Sequence, residues 1–244
     1  MTTLSIANSA AADSAAVNRA ALIIPALDEE PVIGRTLDQV PRGLYCEIIV
    51  ADNGSRDRTA EIARARGATV VSEPERGYGA ACLRAIAALP PDVEAVVFMD
   101  ADGSDDPAEA VLLLAPIYQG RADMVIGSRT LGRAEEGSLQ PHQIFGNRLA
   151  TWLIRIGFGH RYTDLGPFRA IRADALRQLG MRDRNYGWTI EMQIKALRHK
   201  LRVIEAPVSY RKRVGVSKIS GNWRASIAAG CKIIWTVFRL TVSR

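Results

Sequence analysis

Cysteine is scarce in the 244 residues: Cys46, Cys82 and Cys231 are an odd number, set far apart. No CxxC pair exists, so neither a zinc ribbon nor a redox dithiol is indicated, and a reducing cytosolic compartment suits the chain. The three histidines, His142, His160 and His199, are dispersed, and none has a partner that would make it a catalyst. Aromatic residues make up 6% and are not interleaved with the cations, which argues against a base-stacking surface for nucleic acid. No apolar run reaches the roughly 18 residues of a spanning helix. The opening MTTLSIANSAAADSAAVNRA lacks a basic segment before an apolar core, so it does not read as a secretory signal. Residues 1–19 are expected to form a disordered tail.

What is present is the composition of an ordinary folded protein, 48% apolar and 24% charged. That excludes a largely disordered chain, a collagen-like repeat and a disulfide scaffold. The length is near the upper end for a single hydrophobic core. Lysine and arginine number 32 against 26 acids, a net charge of +6, which suggests an anionic partner. The excess is uneven. Carboxylates gather in the first half, at Asp28, Glu29, Glu30, Asp52, Asp100, Asp102, Asp105 and Asp106, while cations crowd the last third from Arg155 to Arg244.

Short apolar runs at Ala21–Ala26, Glu47–Asp52, Ala68–Ser72, Glu94–Asp100 and Ala122–Gly127 read as strands. Helical segments separate them: Pro31 to about Val40, Thr59–Gly67, Gly77–Leu89, and from Asp106-Pro107 to about Tyr118. Five alternations with short connections predict an α/β fold, a mostly parallel sheet with helices on both faces. In such sheets ligands bind at the carboxyl ends of the strands. Asp28 and Glu29 fall after the first predicted strand, Asp52 after the second, and Asp100 and Asp102 after the fourth. Beyond about Gln140 the spacing predicts a helix over 141–157, strands over Pro167–Ile171 and Arg202–Tyr210, and helices near Ala173–Leu179 and Ile190–His199. No linker interrupts this stretch, so it reads as an elaboration of the same domain.

The strongest local signal is Asp100-Ala101-Asp102 after VVFM. Two carboxylates one residue apart at a strand end can reach one hard cation, Mg²⁺ or Mn²⁺, that also binds the phosphates of a nucleotide. The same residues also suit a solvated acidic turn that caps the next helix. An EF-hand loop needs glycine where Asp105 stands, and an aspartyl-phosphatase site usually follows the first strand rather than the fourth. Gly77-Tyr78-Gly79 mimics a dinucleotide fingerprint without its third glycine. These glycines permit close approach of a sugar or phosphate to a helix start, or simply begin the helix.

Taken together, IIPALDEE, EIIVADNGSRDRT, RGYGAACLRAI, VVFMDADGSDDP, VIGSR, TDLGPFRAIR and YRKRVGVSKISG resemble the GT-A glycosyltransferases of family 2, specifically the polyprenyl-phosphate (dolichyl-phosphate mannose synthase-like) group. The blocks run in order from about Ala21 to Gly221. The resemblance implies a GT-A catalytic domain over 20–222, with a nucleotide-sugar half (20–130) and an acceptor half (131–222). It places Pro25, Ala26, Asp28 and Glu29 against the base and ribose, Asp52 at the base edge, and Arg76 and Gly79 over the nucleotide. Asp100 would face the ribose or the sugar, and Asp102 would bind the metal. Ser104 stands where the group often has glutamine as a further metal ligand. Arg129, in GSR, resembles the family's phosphate-binding arginine.

On the acceptor side, Arg169 and Arg172 lie near one predicted strand, and Arg211, Arg213 and Lys218 follow with Lys212 in a second cluster. Several cations in reach of one another suit a phosphate, and a solvated basic face is the plainer alternative. A phosphate oxygen is already ionised near neutral pH and needs no strong general base, whereas a hydroxyl acceptor would. Glu191 and Asp164 are the candidate bases. Each could instead orient an arginine or cap a helix. Residues 223–244 read as an amphipathic helix: Ile227, Cys231, Ile234, Val237 and Phe238 share one side, and Arg224, Lys232 and Arg239 lie opposite with Trp235. Such a helix lies in a membrane interface or packs on the domain.

The expectation is a metal-dependent inverting glycosyltransferase that moves a sugar from UDP-glucose or GDP-mannose to a polyprenyl phosphate. It would be cytoplasmic and held peripherally at the membrane face. The alternatives are a soluble family-2 enzyme acting on a hydroxyl, and a non-catalytic nucleotide-binding regulator.

Overall fold

The computed structural model describes residues 19–214 and 235–236. The expected disordered tail (apart from Arg19), Lys218 and all but two residues of the expected C-terminal helix lie outside the described residues. Seven strands form one sheet: β1 (Ala20–Ala26), β2 (Tyr45–Asp52), β3 (Thr69–Ser72), β4 (Ala95–Phe98), β5 (Met124–Ala134), β6 (Arg169–Arg172) and β7 (Val203–Tyr210), in the spatial order β3-β2-β1-β4-β6-β5-β7. The helices are α1 (Glu30–Asp38), α2 (Thr59–Ala65), α3 (Tyr78–Ile86), α4 (Ala110–Tyr118), α5 (Pro141–Phe158), α6 (Ala173–Leu179) and α7 (Trp188–Arg198).

The central strands are apolar on both faces because helices cover both. In β1, Ala21 and Ile23 enter one core while Leu22 and Ile24 enter the other. β2 and β4 repeat the alternation, with Ile49 and Phe98 on the first side and Val50 and Val97 on the second. The two cores sandwich a sheet that ends in polar loops at its carboxyl edge.

The sheet departs from the parallel pattern at one strand. β6 runs antiparallel between β4 and β5, because α5 and the loop after it return the chain to the carboxyl end of β5. β5 extends to Ala134, where it pairs with the end of β7. The division expected at residue 130 falls inside this strand, so one continuous sheet carries both halves.

Candidate active site

A cleft of about 360 Å³ opens at the carboxyl ends of β1, β2 and β4. Pro25, Ala26, Leu27 and Glu29 form one wall, Asn53 and Arg76 a second, and Asp100–Asp102 the base. Asn185 and Tyr186 reach in from the loop before α7, and Arg213 from the chain after β7.

Backbone pairing brings Arg213 there. Asp105 bridges Tyr210, the Arg211 amide donates to the Ser104 carbonyl at 2.8 Å, and the Val214 amide donates to the Asp102 carbonyl at 3.1 Å. The chain after β7 is therefore strapped along the DADGSD loop. The Arg213 guanidinium donates to Asp102 Oδ2. On the other oxygen, Asp102 Oδ1 accepts from the Ser104 hydroxyl at 2.6 Å and from its amide at 3.0 Å. Ser104 is fully buried and its proton goes to Asp102. It orients the carboxylate.

Two oxygens in this cluster are left over. Asp100 Oδ1 and Asp105 Oδ1 are buried and have no hydrogen-bond partner among the described residues. Burial and then the Asp102 charge push the Asp100 carboxyl up to about 6, against the pull of Arg213. Burial, and the charges of Asp100 and Asp102 behind it, push Asp105 well above the ordinary range. Asp105 Oδ2 accepts the Asp100 amide at 3.3 Å and Tyr78 bonds the Asp100 carboxyl, but a buried carboxyl oxygen left unpaired is costly, and a cation is the usual remedy. The donor set is hard oxygen, which suits Mg²⁺ or Mn²⁺. Among the described residues no group of three carboxylate, histidine or cysteine side chains forms a ready cage. The acids thus fit an ion that takes its other ligands from a bound diphosphate.

The remaining expected residues divide. Pro25, Ala26, Glu29, Arg76 and Asp100 line the cleft; Arg76 also donates to the Gly54 carbonyl at 2.9 Å. Asp28 is not among the lining residues: its Oδ1 accepts the Arg56 amide at 2.7 Å, and its φ of 50° turns the chain away after β1. Asp52 accepts the Ser55 amide at 3.2 Å and shapes the turn that presents Asn53 to the cleft. Gly79 serves protein packing rather than a ligand. A Cβ there would lie 2.0 Å from the Asp183 carbonyl oxygen, and the Ala80 amide donates to the Arg184 carbonyl at 2.9 Å.

The expected acceptor arginines are mostly occupied. Arg129 forms a two-pronged pair with Asp164, both bonds 2.7 Å, and stands 5.0 Å from the Tyr210 ring centre. Burial opposes its charge, but the Asp164 bonds hold its pKa above the ordinary value. Arg169 is 1% exposed and donates to the carbonyls of Thr189, Leu165 and Gly166, so it is not presented to an acceptor. Arg172 lies at the opposite end of the sheet, since its β6 partner is Ala95 at the start of β4. There it pairs with Asp123 at 3.0 Å and Asp174 at 2.7 Å. Arg211 pairs with Asp106 outside the cleft.

Glu191 is also displaced from its expected part. It is 1% exposed, accepts the Arg182 and Asp183 amides at 3.1 and 2.7 Å, and pairs with Lys195 at 2.8 Å. It anchors the loop that delivers Asn185 and Tyr186. Asp105, Asn53, Tyr78, Asn185 and Tyr186 are site residues that the sequence reasoning missed. Asp105 stood in the acidic run after the fourth strand and Asn53 in the turn after the second, so both carried a signal. Tyr78 lay inside the glycine segment, where only the glycines drew notice.

Residues 21–180 match the Glycosyl transferase family 2 pattern. The chain belongs to glycosyltransferase family 2. Its family relatives include an uncharacterised glycosyltransferase of Mycobacterium tuberculosis, 37% identical over 210 residues, spanning 85% of this chain and 93% of that one. The undecaprenyl-phosphate mannosyltransferase of Micrococcus luteus is 30% identical over 224 residues, spanning 84% and 88%. Among solved structures, glucosyl-3-phosphoglycerate synthase of M. tuberculosis with phosphoglyceric acid superposes with a TM-score of 0.73 at 25% identity, covering 93% of this chain and 81% of that one. The same synthase has been solved with Mn²⁺, UDP and phosphoglyceric acid, at a TM-score of 0.75, 24% identity and coverage of 94% and 81%. The fold of this family-2 glycosyltransferase is GT-A, as its motifs implied.

Proposed function

We propose that the enzyme transfers one sugar from a nucleotide diphosphate, UDP-glucose or GDP-mannose, to a polyprenyl phosphate by a single in-line displacement with inversion, dependent on Mg²⁺ or Mn²⁺. The observation that carries the reading is the acidic cluster at the floor of the cleft, where Asp100 and Asp102 line the space, Asp105 lies buried behind them, and one oxygen each of Asp100 and Asp105 has no partner among the described residues. The metal-containing structures of the similar synthase support the cation.

Asp100 and Asp102 would hold the ion, with Asp105 behind them. When bound, it neutralises charge on the leaving diphosphate. The walls formed by Pro25–Leu27, Glu29, Asn53 and Arg76 would bind the nucleoside, while Asn185 and Tyr186 close the cleft from the other side and exclude water. Arg213 balances Asp102 and presents a guanidinium to the same space, where phosphate oxygens would be held in line.

The acceptor class rests on where the two candidate bases lie. The two carboxylates proposed as general bases are committed elsewhere: Asp164 to Arg129, and Glu191 to Lys195 and two amides. Neither is among the described lining residues. An acceptor oxygen that is already ionised needs neither of them. The polyprenyl-phosphate mannosyltransferase relative supports the same choice.

The test uses the purified full chain with Mg²⁺ or Mn²⁺, polyprenyl phosphate and a panel of labelled nucleotide sugars. Label should enter the organic-extractable fraction with one donor and disappear in Asp102→Asn. Consumption of donor only when small hydroxyl acceptors are supplied, with no extractable label, would overturn the lipid-phosphate reading.

A further inference from the structure

The cations that follow β7 divide between two spaces. Arg213 enters the cleft. Arg211 and Lys212 line a second depression, about 290 Å³, behind the DADGSD loop. Arg35 of α1 and Gln39 just after it form another side, Gly103 belongs to the loop itself, and Glu135 enters from the end of β5. Three of the lining side chains are cations and one is an acid. That acid does not balance them. Glu135 accepts the Lys212 amide at 2.8 Å, and Lys212 Nζ stands 3.8 Å from its carboxylate. Arg211 pairs with Asp106. The exposed Arg35 side chain forms no hydrogen bond or ion pair among the described residues.

We propose that this depression is a second anion site, one that takes a small phosphate-bearing molecule. Guanidinium and ammonium groups gathered around one concave space are the donors that phosphate recognition needs. The volume falls just under the roughly 300 Å³ at which pockets for drug-sized ligands begin, so the ligand is phosphate itself or a phosphomonoester with a short stem. No aromatic side chain lines the space, and Val32 and Val214 are its apolar side chains. Nothing there would stack a nucleobase, which separates this ligand from a nucleotide donor.

The strap after β7 joins the depression to the cleft. Arg211, Lys212 and Val214 line the one, while Arg213 between them lines the other and donates to Asp102. An anion held by Arg35 and Lys212 together ties α1 to the strap. Thr36, next to Arg35, already donates to the Ala101 carbonyl at 3.1 Å. Filling the depression therefore fixes the strap against the loop that carries Asp100 and Asp102. The site does not depend on which acceptor the cleft takes.

The experiment is calorimetric titration of the full chain with inorganic phosphate, without metal or nucleotide, at an ionic strength held constant with chloride. The wild type should bind phosphate saturably. Arg35→Gln and Lys212→Gln should each weaken binding about tenfold, the loss of one charge-assisted contact, with their thermal melts retained. Arg213→Gln, on the cleft side, should leave it unchanged. Phosphate should also slow tryptic cleavage after Arg211, Lys212 or Arg213 in the wild type but not in Arg35→Gln. Absence of saturable binding would overturn the proposal. So would loss of binding in Arg213→Gln with Arg35→Gln and Lys212→Gln unaffected, which would put the phosphate in the cleft. Two further arms identify the source of the phosphate group. Competition by glycerol phosphate in solution would support a free metabolite, and Arg35-dependent sedimentation with phosphatidic acid in phosphatidylcholine vesicles would support a lipid headgroup.

Discussion

The acids at the cleft and the arginines of the second half hold their charges in opposite ways. Asp100 and Asp105 are crowded together, and each keeps one buried oxygen that meets no donor among the described residues. Arg129 and Arg172 meet carboxylates that satisfy them, one for Arg129 and two for Arg172. An incomplete buried cluster marks a place made for a ligand, while a complete one marks architecture. Charge density in the sequence is high in both regions, and only the pairing separates them.

The comparison breaks most sharply at Asp102. Asp102→Asn should lower sugar transfer about 10³-fold, in line with losing a group that stabilises transition-state charge. Its melting temperature should stay within a few degrees of wild type. A variant that keeps full turnover would remove the metal-holding role from this loop.

The second effect falls on stability. Asp164→Asn would leave Arg129 buried without its counter-charge. Breaking a buried pair from one side costs about 3 kcal/mol or more. The urea midpoint should fall accordingly with the slope unchanged. A midpoint equal to wild type would show that Arg129 is free to serve a ligand, and the two regions would no longer differ.

Glu191 gives a smaller effect that discriminates between roles. Glu191→Gln keeps the shape but weakens the bonds to the Arg182 and Asp183 amides and removes the charge opposite Lys195. A loss of about 1–2 kcal/mol in stability is expected. The kcat should stay within a few-fold, with KM for the donor raised as the Asn185–Tyr186 wall loosens. A collapse of kcat with KM unchanged would restore Glu191 as a base.

These variants follow the line between what was legible in the sequence and what was not. The strands of the donor half were legible because each is a continuous apolar run, buried on both faces. The Asp100–Asp102 pair drew notice because it follows an apolar strand, and both carboxylates line the cleft. The fates of Arg169 and Arg172 were not legible. They stand at the two ends of one four-residue strand, and because β6 runs antiparallel it is Arg172 that lies at the end away from the cleft. Periodicity gives a strand without its direction. The partners are equally hidden: Arg184 meets Glu75 across 109 residues of sequence. Gly79 misled for a related reason, since a close approach is visible in a glycine but its object is not. That object was the 183–184 backbone.

The smallest prediction concerns Asp123, at the end of the sheet away from the cleft. Its carboxylate accepts from the Arg202 amide at 2.8 Å, from Arg202 Nη2 at 2.8 Å and from Arg172 at 3.0 Å. The Arg202 side chain leads in holding the Asp123 carboxyl below its ordinary value of 3.8. A carboxyl lowered in the folded state favours folding at pH values above its unfolded pKa. That contribution fades as pH falls through the folded value. Arg202 is 53% exposed, so solvent screens the pair and the contribution should be about 1 kcal/mol or less. The stability gap between wild type and Asp123→Asn should therefore be constant from neutrality down to about pH 4 and close below it. It should also narrow in high salt. A gap that persists unchanged at pH 2 would mean that the side chain acts through shape and hydrogen bonds alone, and that charge pairing at this end of the sheet contributes nothing.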